Sequence, residues 1–384
     1  MQPPRICIVC TDVSRNAYGR AYVLARVLSR DYQVKVIGAQ FGNGVWPPMA
    51  GLLEKCGIEV RAVPARGYPF FLAAARRLWR EMAADLVYAL KPRPTSYGLG
   101  LLYRRVQHVP LILDIDDWEL GGFRDLDRRR FWRAMLTNPT GPNHYIWLRM
   151  LYRQTAAADA ITVSSRFLQQ QFGGVIVPHG RDTDEMDPAQ VDTTAARGEL
   201  GADKRIVMFL GTPRPHKGIE DLIAAVASLQ RPDVVCAVVG VDAGDPYGAA
   251  LSQMAGKQVR LLPMQPFHRL PAYLAAADVV VIPQRQTAFA QAQMPAKLYD
   301  AMALARPIVA TAVSDIPQTL EGCGLVVPPG NVEQLSAAIG YLLDNPVEAR
   351  RLGEAARAKC VREYSWDALQ RTLQPLVESL LCRR

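Results

Sequence analysis

Short apolar runs rich in Val and Ile recur along this 384-residue chain, separated by stretches of helical periodicity. In the first half they fall at 6–10, 33–38, 59–63, 85–90, 110–115 and 158–165, with a further run at 175–177. In the second half they fall at 206–210, 234–239, 259–262, 279–282, 308–310 and 324–327. Strands that are apolar on both faces belong to covered sheets, and strands joined by helices run parallel, so the alternation predicts doubly wound α/β architecture. A chain of this length exceeds the size at which a single core keeps growing, which predicts two domains.

With 49% hydrophobic and 21% charged residues the chain reads as globular. No apolar run reaches the roughly 18 residues a spanning helix needs, and the segment 1–5 lacks the layout of a signal peptide, so the expected location is the cytoplasm. Seven cysteines lie at 7, 10, 56, 236, 323, 360 and 382 without metal spacing. Cys7 and Cys10 share one strand run and point to opposite faces, which predicts buried packing residues, not a redox pair.

The net charge of +9 is unevenly placed. Residues 1–182 hold 25 Lys+Arg against 14 Asp+Glu, or +11, and the rest hold 20 against 22, or −2. A basic first half implies an anionic partner. An anionic membrane surface is favoured over nucleic acid because 67–80 interleaves aromatic and basic residues, as an interfacial helix does. A helix packed on a sheet presents the same pattern.

Two stretches carry chemistry. Gly211-Thr212-Pro213-Arg214-Pro215-His216-Lys217-Gly218 stands between a strand run and the helical pattern 219–229. Arg214 and Lys217 add cations at a helix start, where free N–H groups already favour anions, and the expected guest is a phosphate or diphosphate. It is not a P-loop, since Gly218, not Ser or Thr, follows Lys217. The second stretch runs 295–303 after the polar loop 284–294. Pro295 suits the first helical turn, the N–H groups of Ala296, Lys297 and Leu298 then point outward, and Asp300 lies one turn further in. This spacing suits a diphosphate at the helix end and a ribose at the carboxylate.

Together the two stretches resemble the donor half of glycosyltransferase family 4, the retaining sugar-nucleotide transferases of the GT-B fold. The likeness continues through 305–311 and 324–330 and ends at Tyr364-Ser365-Trp366. It implies two Rossmann-like domains facing a cleft, 1–182 with 365–384 and 183–364, the last helix crossing back to the first. It also implies transfer from a nucleoside-diphosphate sugar to a hydroxyl acceptor, a glycan or lipid-linked one, with no metal and no cofactor beyond that co-substrate. Lys217 and Arg214 would bind the diphosphate and Asp300 the ribose, with Gly211, Thr212, Gln291, Gln293, Pro295, Ala296, Lys297 and Leu298 lining the donor.

Three positions depart from the family pattern. Thr212 stands where an Arg is usual, Ala292 where a Glu precedes the ribose carboxylate by eight positions, and Asp116 where many members have a His. The missing Glu leaves open a catalytically weakened partner subunit, and the fold also hosts sugar-nucleotide epimerases and phosphorylases.

In the first half, the loop 11–19 lacks G-x-G-x-x-G, which argues against a dinucleotide site. By the family likeness it faces the cleft, so Tyr18 and Gly19 are acceptor-side candidates. Lys91 and Arg93 follow a strand end and are placed to meet an anionic acceptor, or else form an ordinary surface turn. Asp114-Ile115-Asp116-Asp117 has the form of a D-x-D metal motif. Because the family binds its donor in the other domain, Asp116 and Asp117 are instead acceptor-side or catalytic candidates, with helix capping as the alternative. The segment 121–147, rich in Arg, Phe and Trp, reads as an irregular excursion that selects an acceptor, touches a membrane or covers the sheet.

Overall fold

The computed structural model describes residues 3–137 and 139–382. The chain divides into two units, Met1–His179 with Leu369–Arg384, and Gly180–Ala368. The first unit is built on seven parallel strands: β1 (Arg5–Cys10), β2 (Gln33–Gln40), β3 (Glu59–Pro64), β4 (Leu86–Leu90), β5 (Leu111–Ile115), β6 (Ala160–Val163) and β7 (Val175–Ile176). Their order across the sheet is β3-β2-β1-β4-β5-β6-β7. The second unit has β8 (Arg205–Leu210), β9 (Val234–Val239), β10 (Val259–Leu262), β11 (Val279–Ile282), β12 (Ile308–Thr311) and β13 (Leu325–Val327), all parallel, in the order β10-β9-β8-β11-β12-β13.

Side chains alternate across a strand, and β8 shows why its apolar run is unbroken. Ile206, Met208 and Leu210 enter one core while Val207 and Phe209 enter the core on the opposite face. In β1 every residue from Ile6 to Cys10 is fully buried, and burial pushes the Cys7 and Cys10 thiols up to about 12. Both behave as packing residues. The winding reverses between β1 and β4 in one sheet and between β8 and β11 in the other, so the loops leaving those strand ends splay apart and leave a crevice at each carboxyl edge.

Two regions differ from the expectation drawn from their composition. The segment 121–147 is largely helical, with helices Gly121–Arg124 and Arg128–Leu136 and the start of Tyr145–Tyr152. Asp127 caps the second by accepting the Arg130 N–H at 2.8 Å, yet that helix buries none of its residues. Without an inward apolar stripe, its periodicity was invisible. The helix Phe71–Glu81 buries Phe71, Ala74 and Leu78, while Arg76, Arg77 and Arg80 face outward with Phe70 and Leu72. It is therefore an amphipathic helix whose stripe Phe71, Ala74 and Leu78 is covered, as a helix packed on a sheet requires, while Phe70 and Leu72 stay exposed beside the arginines. The last helix, Trp366–Leu381, starts with Ser365 Oγ accepting the Ala368 N–H, and it buries Leu369, Leu373, Val377 and Leu380 along one stripe. Gln370 Nε2 donates to Asp31 Oδ2 at 2.7 Å, within the first unit.

A buried ion pair closes the carboxyl edge of the first sheet. Arg20 Nε and Nη2 donate to Asp114 at 3.0 and 2.7 Å, and the same guanidinium donates to the carbonyls of Val177 and Pro178. Asp114 also accepts from Thr162 Oγ1, which bonds Tyr88 Oη. Asp114→Ala would strand the guanidinium, and the expected loss is about 3–5 kcal/mol of unfolding free energy in a denaturant titration. Arg104→Ala, which breaks the part-exposed pair with Asp159, should cost only about 0–1 kcal/mol. Equal losses would show that the Arg20 pair is not the structural lock of this edge.

Candidate functional site

The carboxyl edge of the second sheet brings the two chemistry-bearing stretches together. Gly211 leaves β8 with φ 124°, its N–H donating to Val239 O at 2.8 Å, a conformation open to glycine and costly for any other residue. Pro215–Lys217 then forms a 3₁₀ turn, and Gly218, at φ 63°, starts the helix Ile219–Ser228. A side chain at Gly218 would strike the Pro283 carbonyl, so the loops after β8 and β11 touch. Arg285 strengthens that contact. Its N–H donates to His216 O at 2.9 Å and its guanidinium to Asp221 at 2.9 and 2.7 Å.

The cations of the basic loop are placed differently from one another. Lys217 Nζ turns back to donate to Thr212 O at 2.7 Å, so it lies along the loop. Arg214 pairs with Asp245 at the loop's outer, half-exposed side.

Across the switch point stands the helix Ala296–Ala303. Pro295 is its cap residue, with ψ 118°, and not its first helical residue, and the Pro295 carbonyl accepts the Leu298 N–H at 2.9 Å. The expectation of three outward N–H groups is thereby reduced to Ala296 and Lys297, which lie before any intrahelical acceptor. Asp300 is held by Arg181, which donates to both carboxylate oxygens, to Oδ2 at 3.1 Å, as well as to the Ala296 and Gly180 carbonyls. The carboxylate placed for a ribose is thus already bidentately paired and 8% exposed.

Lys297 contributes more than its N–H. Its Nζ is shut off from solvent, 3.6 Å over the Phe209 ring and against Gly211, with no hydrogen-bond partner among the described residues. Burial, and then the charge of Lys217, hold its pKa well below the ordinary lysine value, against an opposing pull from Asp300. Gln291 Oε1 accepts the Ser314 N–H at 3.1 Å, Gln293 is half-buried, and Ala292 is fully buried. Sequence reasoning missed Arg181, which no local pattern marks. It also missed Gln284, a 2% exposed amide at the end of β11 whose Oε1 and Nε2 have no hydrogen-bond partner among the described residues.

At the switch point of the first sheet the candidates also meet, but their charges are spent on one another. Lys91 Nζ lies 2.5 Å from Asp117, 3.2 Å from Asp116 and 3.6 Å from Glu119, and Arg93 grips Glu119 through Nε at 2.8 Å and through Nη2. The expectation that Lys91 and Arg93 await an anionic acceptor is corrected, since three carboxylates already neutralise them. Burial pushes Asp116 up to about 6, with Lys91 opposing and Asp117 and Asp114 adding to the rise. Asp114 belongs to the Arg20 pair, and no group of three or more His, Cys, Asp or Glu among the described residues is arranged to hold a metal. Tyr18 and Gly19 do not present an acceptor surface. Tyr18 is fully buried in the first turn of the helix Ala17–Leu28, and Gly19 lies under Trp46 and Met49.

Residues 204–345 match the family model described as Glycosyl transferases group 1. The chain is similar to a GDP-mannose-dependent alpha-(1-6)-phosphatidylinositol monomannoside mannosyltransferase of Mycolicibacterium smegmatis, 31% identical over 229 residues, 54% of this chain and 59% of the relative. It is also similar to a D-inositol 3-phosphate glycosyltransferase of Segniliparus rotundus, 33% identical over 205 residues, 50% and 44% of the two chains. The chain spans about half the length of the curated relatives it matches. Among solved structures, Anabaena HepE in complex with UDP-glucose has a TM-score of 0.76 at 19% identity, covering 98% of this chain and 100% of that one. Sucrose-phosphate synthase from Thermosynechococcus elongatus has a TM-score of 0.75 at 19% identity over 99% and 100%. At these identities the likeness speaks for the fold. The chain has the GT-B fold, and the part of its second unit that carries Gly211, Lys217, Lys297 and Asp300 matches the group 1 glycosyltransferase model, the family 4 type that its sequence resembles.

Proposed function

We propose that this chain is a retaining glycosyltransferase that moves a sugar from a nucleoside-diphosphate sugar to a hydroxyl acceptor. One observation carries this reading: Lys217, Lys297 and the helix start at Ala296 converge at the switch point of the second sheet, where the nearby Asp300, Asp221 and Asp245 are already paired with Arg181, Arg285 and Arg214. When the bond from the anomeric carbon to the diphosphate breaks, negative charge accumulates on the leaving oxygen. Fixed cations and N–H groups at that place stabilise it more than they stabilise the intact donor, which is what lowers the barrier. In this scheme the cations do the work that a divalent ion does elsewhere, and the only co-substrate is the nucleotide sugar. Arg214 joins them if it leaves Asp245. Asp116 and Asp117, held by Lys91, are assigned to the acceptor side.

The relatives are named as transferases, which favours group transfer over epimerase or phosphorylase chemistry. One acts on a phosphatidylinositol mannoside by its printed name, which supports a glycan or lipid-linked acceptor here. Among the described residues no helix is long and apolar enough to cross a membrane. We assign peripheral membrane contact to the helix Arg128–Leu136. It exposes Trp132 and Leu136 at 57% and 81%, beside Arg128, Arg129, Arg130 and Arg133, whereas Phe71–Glu81 has no free apolar stripe.

Lys217→Ala should weaken binding of UDP or GDP about 10- to 100-fold, the worth of one charge-assisted hydrogen bond, and leave the parent nucleoside's affinity unchanged, as read by calorimetry. Equal loss for both would remove Lys217 from the diphosphate site. In vesicle co-sedimentation, Trp132→Ser with Leu136→Ser should lower binding to anionic and neutral vesicles alike. Arg129→Glu with Arg133→Glu should abolish only the preference for anionic lipid, which salt also screens with a Debye length near ~8 Å at physiological strength. A wild type indifferent to lipid charge would leave a soluble acceptor as the better reading.

A further inference from the structure

Lys297 Nζ is a buried amine of the candidate donor site without a hydrogen-bond partner among the described residues. The groups that face its Nζ are Phe209 from β8, Gly211 and Lys217 from the loop that follows, and Asp300 on its own helix, itself held by Arg181. Two of these are uncharged, and Lys217 and Arg181 repel an ammonium. The only carboxylate is already bidentately bound. A charged amine without a hydrogen-bond partner is costly at a dry site, and the neutral amine relieves that cost. Burial and Lys217 displace the balance in the same direction. If packing against Phe209 were the whole role, an apolar side chain of the same length would serve equally well. The amine instead lies between the Gly211 turn and the helix start at Ala296, where the two anion-favouring elements meet.

We propose that Lys297 Nζ is a ligand of the donor's diphosphate and takes up a proton from solvent as the anion enters, so that donor binding is proton-linked. This rests on the diphosphate reading of the site given above. The step moves one proton onto the nitrogen lone pair and breaks no other bond. The incoming negative charge acts as counter-ion, and the ammonium then donates to a diphosphate oxygen. After sugar transfer the nucleoside diphosphate carries one more negative charge and holds that proton more firmly. Its release therefore returns the proton and is favoured as pH rises.

The sign follows from linkage. Between the lowered value of the free site and the raised value of the occupied one, binding takes up protons, and the apparent affinity falls as pH rises, by at most about tenfold per pH unit for one proton. Below that window both states are charged and the dependence vanishes.

The test is calorimetry of the full chain with UDP and with GDP, in buffers of different ionisation enthalpy, from about pH 7.5 to 9.5. That range lies above the second phosphate ionisation near ~6 and below the ordinary lysine value near ~10.4, and the parent nucleoside titrated in parallel subtracts any proton exchanged by the base N–H. The expected result is an uptake that approaches one proton within the range for the wild type. It should vanish in Lys297→Met, with affinity for the diphosphates about 10- to 100-fold weaker and nucleoside affinity unchanged. Lys297→Arg, permanently charged, should bind without uptake. Thermal melting of both variants reports whether they fold. Wild-type binding without uptake anywhere in the range, or Lys297→Met binding UDP and GDP as the wild type does, would overturn the proposal. Equal loss of nucleoside and diphosphate affinity would also overturn it, since that marks a packing role. Failure of the wild type to bind any nucleoside diphosphate at any pH would instead remove the donor reading itself.

Discussion

β8 and β11 pair directly at the point where the winding of the second sheet reverses, and the basic loop and the helix Ala296–Ala303 of the candidate donor site follow the ends of these two strands. Gly211 to Gly218 continues one strand, and Pro283 to Pro295 continues the other. The pairing sets the distance between the two loops. Contacts such as Gly218 on the Pro283 carbonyl and Arg285 on Asp221 hold them there. Without the reversal, helices would cover both strand ends and the cationic loop would face a neighbour instead of a crevice.

The two switch points use charge in opposite ways. In the first unit Lys91 and Arg93 share Asp116, Asp117 and Glu119, and Arg20 is closed by Asp114, so the buried charges are paired within the edge itself. In the second unit Arg214, Arg285 and Arg181 are paired with Asp245, Asp221 and Asp300, but the Lys297 amine is left without a hydrogen-bond partner among the described residues. A charge there would cost stability, so burial and Lys217 hold the amine below the ordinary lysine value, and such perturbed groups gather where chemistry is done. In the proposal above, a diphosphate supplies the counter-charge with which that amine takes up its proton.

What was legible in the sequence and what was not divides along a physical line. β8 was readable because burial on both faces makes its run continuously apolar, and the basic loop because Gly and the cations stand next to each other in the chain. Arg181 was not, because its partner Asp300 is 119 residues away and only the packed second unit joins them. Lys91 and Arg93 looked free for the same reason. Their carboxylates lie 26 residues on, and the pairing of β4 with β5 brings the two strand ends side by side. Tyr18 was misplaced by a shift of helix register, since the helix begins at Ala17 and turns that ring into the core. The direction of the Lys297 side chain depends on Gly211 leaving room beneath it, which no pattern of residue types conveys.

Amide hydrogen exchange with and without a saturating nucleoside diphosphate tests most directly whether the second switch point holds the donor. Donor binding there predicts slowed exchange at 211–218 and at 284–300, the two segments that leave β8 and β11, with the loops at 11–16 and 91–97 of the first unit unchanged. Protection that appears at 11–16 and 91–97 while 211–218 and 284–300 exchange as before would contradict that assignment and move the anion site to the first unit.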